Sequence, residues 1–239
     1  MKLTLMRTSY ATLLADTLPL PFRGRAEAGM MLAGRLKTFA GQSDVIVVAI
    51  ANDGVPVAAQ VATALNLPLT VQVVRNLGVP GQENLTMGTI ATDDVRILNQ
   101  ETIDALHIPA RVVDWRIFCE TQELMRRERI FVHERKAPAL AGKTVILVDD
   151  GISSGSRMLA AIQAIRKQGA RHIVAAVPVA AKQSLVRLRA IADQVVCLVE
   201  PKLFFSINHW YENFEPVADW EVCQILDGVL DHVHELEMA

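Results

Sequence analysis

Two adjacent carboxylates, Asp149 and Asp150, stand between an apolar run and a loop of small polar residues. The run, residues 144–148, is largely β-branched, as is typical of a strand buried on both faces. The loop, residues 151–156, contains three serines and two glycines, and residues 158–165 have a helical pattern. Because a helix N-terminus presents unpaired N–H groups, this unit predicts an anion site, while the carboxylates favour hydroxyl groups or a cation. A ligand with a phosphate and a ribose would satisfy both halves.

The composition is that of an ordinary folded protein. With 239 residues, 51% hydrophobic and 21% charged, the chain is long enough for a substantial core. A net charge of -2 gives no basic field for nucleic acid. No run reaches the ~18 apolar residues of a membrane span. Three widely spaced cysteines predict reduced thiols in a cytoplasmic protein. We therefore expect neither a nucleic-acid nor a membrane partner.

Further strands and helices alternate around the loop. The predicted strands are residues 45–50, 69–74, 173–179 and 195–199, and the predicted helices are residues 25–39, 57–65 and 183–191. This alternation predicts a parallel sheet with right-handed crossovers. Ligands of such sheets bind beyond the carboxyl ends of the strands, where Asn52-Asp53-Gly54 and Arg75 would join the central loop.

The remaining segments differ from this pattern. Residues 1–21 form an N-terminal extension to a single domain, and residues 79–132 add a loop, a hairpin and a long helix. Apolar pairs recur every seven residues in that helix, which favours a packed core helix over a dimer contact. Residues 200–239 concentrate aromatic side chains and predict a small C-terminal hood.

Two other motifs overlap these elements. Residues 137–144 fit a loose nucleotide-binding P-loop, but Lys143 leads into a predicted strand, whereas the lysine of such a loop must open a helix. Residues 151–155 form a Gly-x-Ser-x-Gly pattern, which would make Ser153 the nucleophile of a serine hydrolase. Its downstream partners in the required order are Asp193 or Asp219, then His209, His232 or His234. The adjacent carboxylates disfavour this hypothesis because they would oppose the negative charge of a tetrahedral intermediate.

The central loop resembles the phosphoribosyl pyrophosphate signature of the type I phosphoribosyltransferases. That pattern is an apolar strand, two acidic residues, two more residues and then Ser/Thr-Ser/Thr-Gly-x-Thr. Residues 22–29, 54–58, 74–81 and 210–214 agree with a bacterial subgroup of the family, so the resemblance spans nearly the whole chain from about Phe22. It implies a three-layer α/β fold, a Rossmann-like parallel sheet flanked by helices with a small C-terminal hood, in a homodimer.

The resemblance also implies an activity. Ribose 5-phosphate would pass from phosphoribosyl pyrophosphate to a nitrogen acceptor, commonly a nucleobase, with Mg²⁺ as the cofactor. The implied residues are Asp149 and Asp150 for ribose and Mg²⁺; Gly151, Ile152, Ser153, Ser154, Gly155, Ser156 and Arg157 for phosphate; Asn52, Asp53, Gly54 and Arg75 for pyrophosphate; and Phe205, Trp210 or Tyr211 for base stacking. Catalysis would consist mostly of positioning and charge stabilisation.

The chain departs from the subgroup at the phosphate sites. Asn52 and Asp53 stand where the subgroup has Arg-Gly, Asn76 stands where it has lysine, and Arg157 replaces a hydroxyl residue. Each lost charged hydrogen bond weakens binding by about 1–3 kcal/mol. The alternative is therefore a non-catalytic protein on this fold that binds a nucleoside monophosphate or a ribose phosphate. Arg157 is expected either to point into the phosphate site or to lie along the helix surface.

Overall fold

The strands form a central parallel sheet and a smaller antiparallel sheet. The computed structural model describes residues 21–132, 135 and 138–237, with side chains up to residue 230. The strands in chain order are β1 Val45–Ile50, β2 Leu69–Gln72, β3 Val74–Val79, β4 Gln82–Ala91, β5 Val95–Leu98, β6 Thr144–Val148, β7 His172–Val179 and β8 Gln194–Val199. The central sheet has the order β2-β1-β6-β7-β8 and the small sheet the order β3-β4-β5. Nearly all of the predicted N-terminal extension lies outside the described residues.

Helices cover both faces of the central sheet. They are α1 Arg25–Arg35, α2 Val55–Leu65, α3 Gln100–Ala105, α4 Ala110–Phe131, α5 Ser156–Lys167, α6 Lys182–Arg189 and α7 Asp219–Glu237. Alternate residues of β1 face two different cores, because side chains of a strand point to opposite faces. Val47 packs with residues of α1 and α2, whereas Val48 packs with residues of α5 and α6. The expected three-layer α/β architecture is confirmed.

The third apolar run divides between the two sheets. Residues 69–74 were predicted as one strand, but β2 ends at Gln72 and Val74 already belongs to β3. The buried Gln72 side chain donates hydrogen bonds to Thr92 Oγ1 at 2.8 Å and to the Val73 carbonyl at 3.2 Å, which fixes the junction. Arg75 therefore lies on the antiparallel sheet rather than at the end of a parallel strand.

The segment that was expected to be a loop, a hairpin and a helix is more regular than predicted. Residues 79–84 were predicted as a loop, yet Val79 pairs with Gln82 across a turn in which Gly81 has φ 77°. The hairpin of β4 and β5 and the long helix α4 are confirmed. One residue of each apolar pair in α4 is buried, including Ile117 and Leu124, so the helix packs on the core with one face.

The C-terminal segment has two parts. Helix α7 joins the main core through Val222, Leu226 and Val229. The stretch before it returns to the start of α1, where Tyr211 forms a bridge with Phe22. Only this stretch, residues 200–218, therefore corresponds to the predicted hood. In the described part of the chain, no helix is both long and apolar enough to cross a membrane.

Candidate active site

The loop between β6 and α5 presents an open helix N-terminus. Gly155 is the N-cap residue, with φ 81°, and Ser156 begins the helix. A glycine at this position adopts the left-handed conformation without strain and offers no side chain to cap the first turn. Ser153 and Ser154 are exposed in front of that turn. The Ser156 N–H makes only a long hydrogen bond, 3.5 Å, to Ser154 Oγ, so N–H groups of the first turn and exposed hydroxyls lie together, as a phosphate site requires.

Contacts from α6 hold the back of this loop. Ser184 is buried, and its Oγ donates to the carbonyl of Ser153. Arg187 donates to the carbonyl of Ser154 at 2.5 Å. Because the two loop carbonyls are engaged from behind, the opposite side of the loop stays available to a ligand. The sequence predicted a helix here but indicated no role for these two side chains.

The two acids are buried at the end of β6. Asp149 is 3% exposed and Asp150 is 2% exposed. Asp149 Oδ1 accepts from the Asp150 N–H at 3.0 Å and lies 3.8 Å from Arg157 Nη2. Burial raises the pKa of both carboxyls, that of Asp149 to about 7, and the arginine guanidinium beside each one opposes the rise. The pair therefore favours a cation or hydroxyl donors as ligands.

Arg25 is a site residue that was not singled out from the sequence. Its side chain is 8% exposed, and Nε donates to Asp150 Oδ2 at 3.0 Å. Nη1 donates to the Glu215 carbonyl at 2.7 Å, and the guanidinium stacks over the Phe214 ring at 4.0 Å. Arg25 lies in the family-like stretch at residues 22–29, but nothing local to that stretch indicated its distant partners. It joins α1, the acids and the hood.

The loop after β1 lies directly against the acids. A Cβ on Gly54 would lie 2.7 Å from the Ile50 carbonyl oxygen and 3.0 Å from Asp149 Cα, so only glycine fits. The amide nitrogen of Asn52 donates to the Val217 carbonyl at 3.0 Å and to Asp219 at 2.8 Å. Asn52 Oδ1 accepts from Arg127, so the amide is engaged on both sides.

Arg157 points inward from α5. Its Nη2 donates to the Ala51 carbonyl at 2.9 Å, so of the two expected positions the one along the helix surface is wrong. Its guanidinium lies 3.8 Å from Asp149 Oδ1 and 4.0 Å from Asp53 Oδ2, between the ends of β6 and β1. Arg75 lies on β3 and pairs with Glu120 of α4 at 2.8 Å. It lines the same cleft as Arg157.

These side chains surround an open cleft of about 270 Å³. Its lining residues are Ala51, Asn52, Asp53, Val74, Arg75, Asn76, Arg127, Arg157, Pro216 and Val217. The structure therefore brings three of the four predicted pyrophosphate residues to one cleft, and the fourth, Gly54, packs against the backbone of Ile50, Val148 and Asp149. It also adds Arg127, which lies on α4 and was not singled out from the sequence.

The predicted aromatic platform is only partly available. Tyr211 is 2% exposed, its ring packs between Phe22 and Phe214, and its hydroxyl donates to the Asp150 carbonyl at 2.6 Å. A base cannot stack on this ring, because the side chain is buried among other residues. Phe205 is 76% exposed, and Trp210 is half-buried with no hydrogen-bond partner for Nε1 among the described residues.

The residues required for a serine hydrolase are engaged elsewhere. His209 Nδ1 contacts Ser206, Asp193 pairs with Arg166, and Asp219 binds the α4 arginines and Asn52. The side chains of His232 and His234 lie outside the described part. Lys143 leads into β6 rather than into a helix, which confirms that this segment is not a P-loop.

The carboxylates fit Mg²⁺ only together with ligand oxygens. Among the described residues, no group of three or more His, Cys, Asp or Glu side chains is placed to hold a metal ion. Mg²⁺ commonly binds through one or two carboxylates, water and substrate phosphates, and Asp149 and Asp150 would provide the carboxylates of that donor set.

Comparison with known proteins identifies the family. A model of the phosphoribosyl transferase domain matches residues 24–215, so the chain belongs to that family. Two Mycobacterium tuberculosis proteins, from strains CDC 1551 and H37Rv, carry the name "Putative phosphoribosyl transferase" and are 41% identical over 206 residues. The match covers 86% of this chain and 46% of theirs, so the chain spans about half their length. The crystal structure of TT1426 from Thermus thermophilus is also similar, with a TM-score of 0.67 and 32% identity over 86% of this chain and 97% of that one.

Proposed function

We propose that the protein transfers ribose 5-phosphate from phosphoribosyl pyrophosphate to a nitrogen acceptor, in a reaction that depends on Mg²⁺. One observation carries this proposal: an open helix N-terminus and two buried carboxylates belong to the same loop, at the carboxyl edge of a parallel sheet. A phosphate and a vicinal diol are the ligand groups that such a pair of features binds together. Membership of the phosphoribosyl transferase family supports the same reaction class.

In this proposal each part of the donor binds a different part of the site. The 5-phosphate binds at residues 151–156, where N–H groups and hydroxyls face outward. Asp149 and Asp150 accept hydrogen bonds from the ribose hydroxyls, and the pyrophosphate extends toward the β1 loop, which packs against them. Phosphate, ribose and leaving group thus follow the carboxyl edge of the sheet from β6 to β1.

The reaction is a displacement at the anomeric carbon. The bond from that carbon to a pyrophosphate oxygen breaks, a bond to the acceptor nitrogen forms, and the nitrogen releases a proton. Mg²⁺, held by Asp149, Asp150 and ligand oxygens, would neutralise charge on the leaving group. The chain itself contributes position and electrostatic stabilisation, because fixed arginine and N–H groups surround the developing charges. Phe205 and Trp210 remain the predicted contacts for an acceptor base.

The test is donor-dependent release of pyrophosphate, measured across a panel of nucleobases with and without Mg²⁺. A double variant, Asp149→Asn with Asp150→Asn, removes both charges while keeping similar side-chain shapes. We expect release with at least one base, and a loss of at least 10-fold in the double variant. Asp193→Asn, which is remote from the loop, provides the control. Absence of release with every acceptor, or full activity in the double variant, would contradict the proposal.

The second candidate is a non-catalytic protein that binds a nucleotide or a ribose phosphate. It is favoured by Asp53, whose carboxylate lines the cleft where the family subgroup has no charge, and by the engagement of Asn52 with other side chains. Calorimetry with nucleoside monophosphates and with phosphoribosyl pyrophosphate separates the two. Tight monophosphate binding without detectable donor binding supports this candidate and excludes the transferase.

A further inference from the structure

The β1 loop has no cation of its own. Its side chains at the cleft are an amide, Asn52, and a carboxylate, Asp53. Asn52 is directed toward Val217 and Asp219 by its amide nitrogen and toward Arg127 by its oxygen. A polyanion in this cleft would therefore depend on charges that other elements supply.

Three arginines from three different elements supply such charges. Arg75 comes from β3, Arg127 from α4 and Arg157 from α5, and all three line the cleft. Their side chains are 27%, 22% and 27% exposed, so each is held in place yet reachable by a ligand. Asp53 is the single acid in the lining, and the carboxylates that pair with Arg75 and Arg127 lie outside it; they are Glu120, Glu123 and Asp219.

Two of these arginines also hold the loop itself. Arg127 Nη1 donates to Asn52 Oδ1 at 3.1 Å, and Arg157 Nη2 donates to the Ala51 carbonyl at 2.9 Å. Arg127 is oriented by Glu123, whose Oε1 accepts from Nε at 2.8 Å. Arg157 has no carboxylate oxygen closer than 3.8 Å among the described residues. Its guanidinium therefore keeps donors available for a ligand.

We infer that Arg127 and Arg157 bind the diphosphate group of the donor in this cleft, because the β1 loop itself offers only Asn52 and Asp53. The inference rests on the proposed function for the identity of the donor. Guanidinium groups suit this role because their planar donors bind phosphate oxygens bidentately. Arg127 thereby gains a binding role, and Arg157 binds at the diphosphate end of the site rather than at the 5-phosphate end.

The experiment uses two probes, inorganic pyrophosphate and ribose 5-phosphate, each titrated into the protein by calorimetry with and without Mg²⁺. We expect Arg127→Gln and Arg157→Gln to weaken pyrophosphate binding by about 10-fold or more, the effect of one charged hydrogen bond. Affinity for ribose 5-phosphate should stay within about twofold, because its phosphate binds at the other loop. Arg127→Lys keeps the charge but not the fork and should give an intermediate affinity.

Arg126→Gln is the matched control. Arg126 lies beside Arg127 on α4 and binds the same acids, Glu123 and Asp219, but it does not line the cleft. Near-wild-type pyrophosphate binding in Arg126→Gln, with weak binding in Arg127→Gln, supports the inference. An equal loss in both variants, or equal weakening of both probes, shows a structural role and overturns it.

Failure of the inference is distinguishable from failure of the proposed function. If the wild-type protein binds ribose 5-phosphate but not pyrophosphate, the diphosphate site is wrong, whatever the transfer assay shows. If pyrophosphate binds in an arginine-dependent way and no acceptor is used, the inference stands and the transferase proposal fails.

Discussion

Arg25 Nε and Asp150 Oδ2 lie 3.0 Å apart and form an ion pair whose side chains are 8% and 3% exposed. The two residues are 125 positions apart in the chain. The contact therefore ties the start of α1 to the end of β6. A carboxylate this deeply buried retains a charge only with a close partner, because desolvation disfavours the ionised form. Arg25 thus supports the acid pair on which the proposed ribose contact depends.

Replacing Arg25 with Met should strongly destabilise the fold. The substitution leaves Asp150 without its main counter-charge, and breaking a buried pair costs about 3–5 kcal/mol. Urea unfolding followed by circular dichroism measures this free energy. Arg23→Ala is the control: the Arg23 side chain is 78% exposed and pairs with Glu27, so its loss should cost about 0–1 kcal/mol. Equal effects of the two substitutions would show that the Arg25 pair contributes little.

The contribution of Asp149 to stability should fall as the pH rises from about 4 to about 7. Burial raises the pKa of Asp149 from 3.8 to about 7, so the folded protein holds a proton that the unfolded chain has lost. The stabilising effect is complete below the unfolded pKa and is lost as the pH passes the folded pKa, with a slope of up to about 1.4 kcal/mol per pH unit. Unfolding free energies at a series of pH values measure the slope, and Asp149→Asn should reduce it.

Asp193→Asn is the control for this pH dependence. Burial acts to raise the pKa of Asp193, but hydrogen bonds from the Ile173 N–H and from Arg166 lower it overall. The stability that the Asp193 carboxylate contributes is therefore lost only as the pH falls below the ordinary pKa of an aspartate. The variant should keep the wild-type slope between about pH 5 and pH 7. A slope that survives in Asp149→Asn would assign the titration to another group, first of all Asp150, whose pKa burial also raises.

The parts of the site that lie next to strand ends are predictable from sequence. An apolar run followed by Asp149 and Asp150 indicates a buried strand and its carboxyl end, because both features are local. Arg127 and Ser184 could not be found in this way. Each lies on a helix whose pattern shows only an amphipathic surface, and their loop contacts span 75 and 31 positions. The division of residues 69–79 between two sheets was missed for the same reason, since a buried Gln72 contact with Thr92 decides it.

Gly54→Ala should separate the two loops that form the site. The new Cβ would lie 2.7 Å from the Ile50 carbonyl oxygen and 2.8 Å from that of Val148, and neither backbone atom can move freely. We expect a loss of about 1–3 kcal/mol in stability, together with weaker pyrophosphate binding, measured by thermal denaturation and calorimetry. Gly34→Ala is the control, because a Cβ at Gly34 in α1 would meet no heavy atom within 4 Å. It should be neutral or stabilising by up to about 1 kcal/mol.

Ser184→Ala should weaken the binding of ribose 5-phosphate and leave that of pyrophosphate unchanged. The buried Ser184 hydroxyl donates to the Ser153 carbonyl, and its removal leaves that carbonyl unpaired behind the phosphate loop. A net hydrogen bond of about 1 kcal/mol corresponds to a roughly fivefold rise in the Kd for ribose 5-phosphate. Calorimetry with both probes measures the difference, and the exposed Ser43→Ala variant is the control for loss of a hydroxyl. If affinity for both probes falls together with the melting temperature, Ser184 supports the whole fold. A loss confined to ribose 5-phosphate shows that α6 positions the loop for the 5-phosphate, because the β1 cleft is held by α4 and α5 instead.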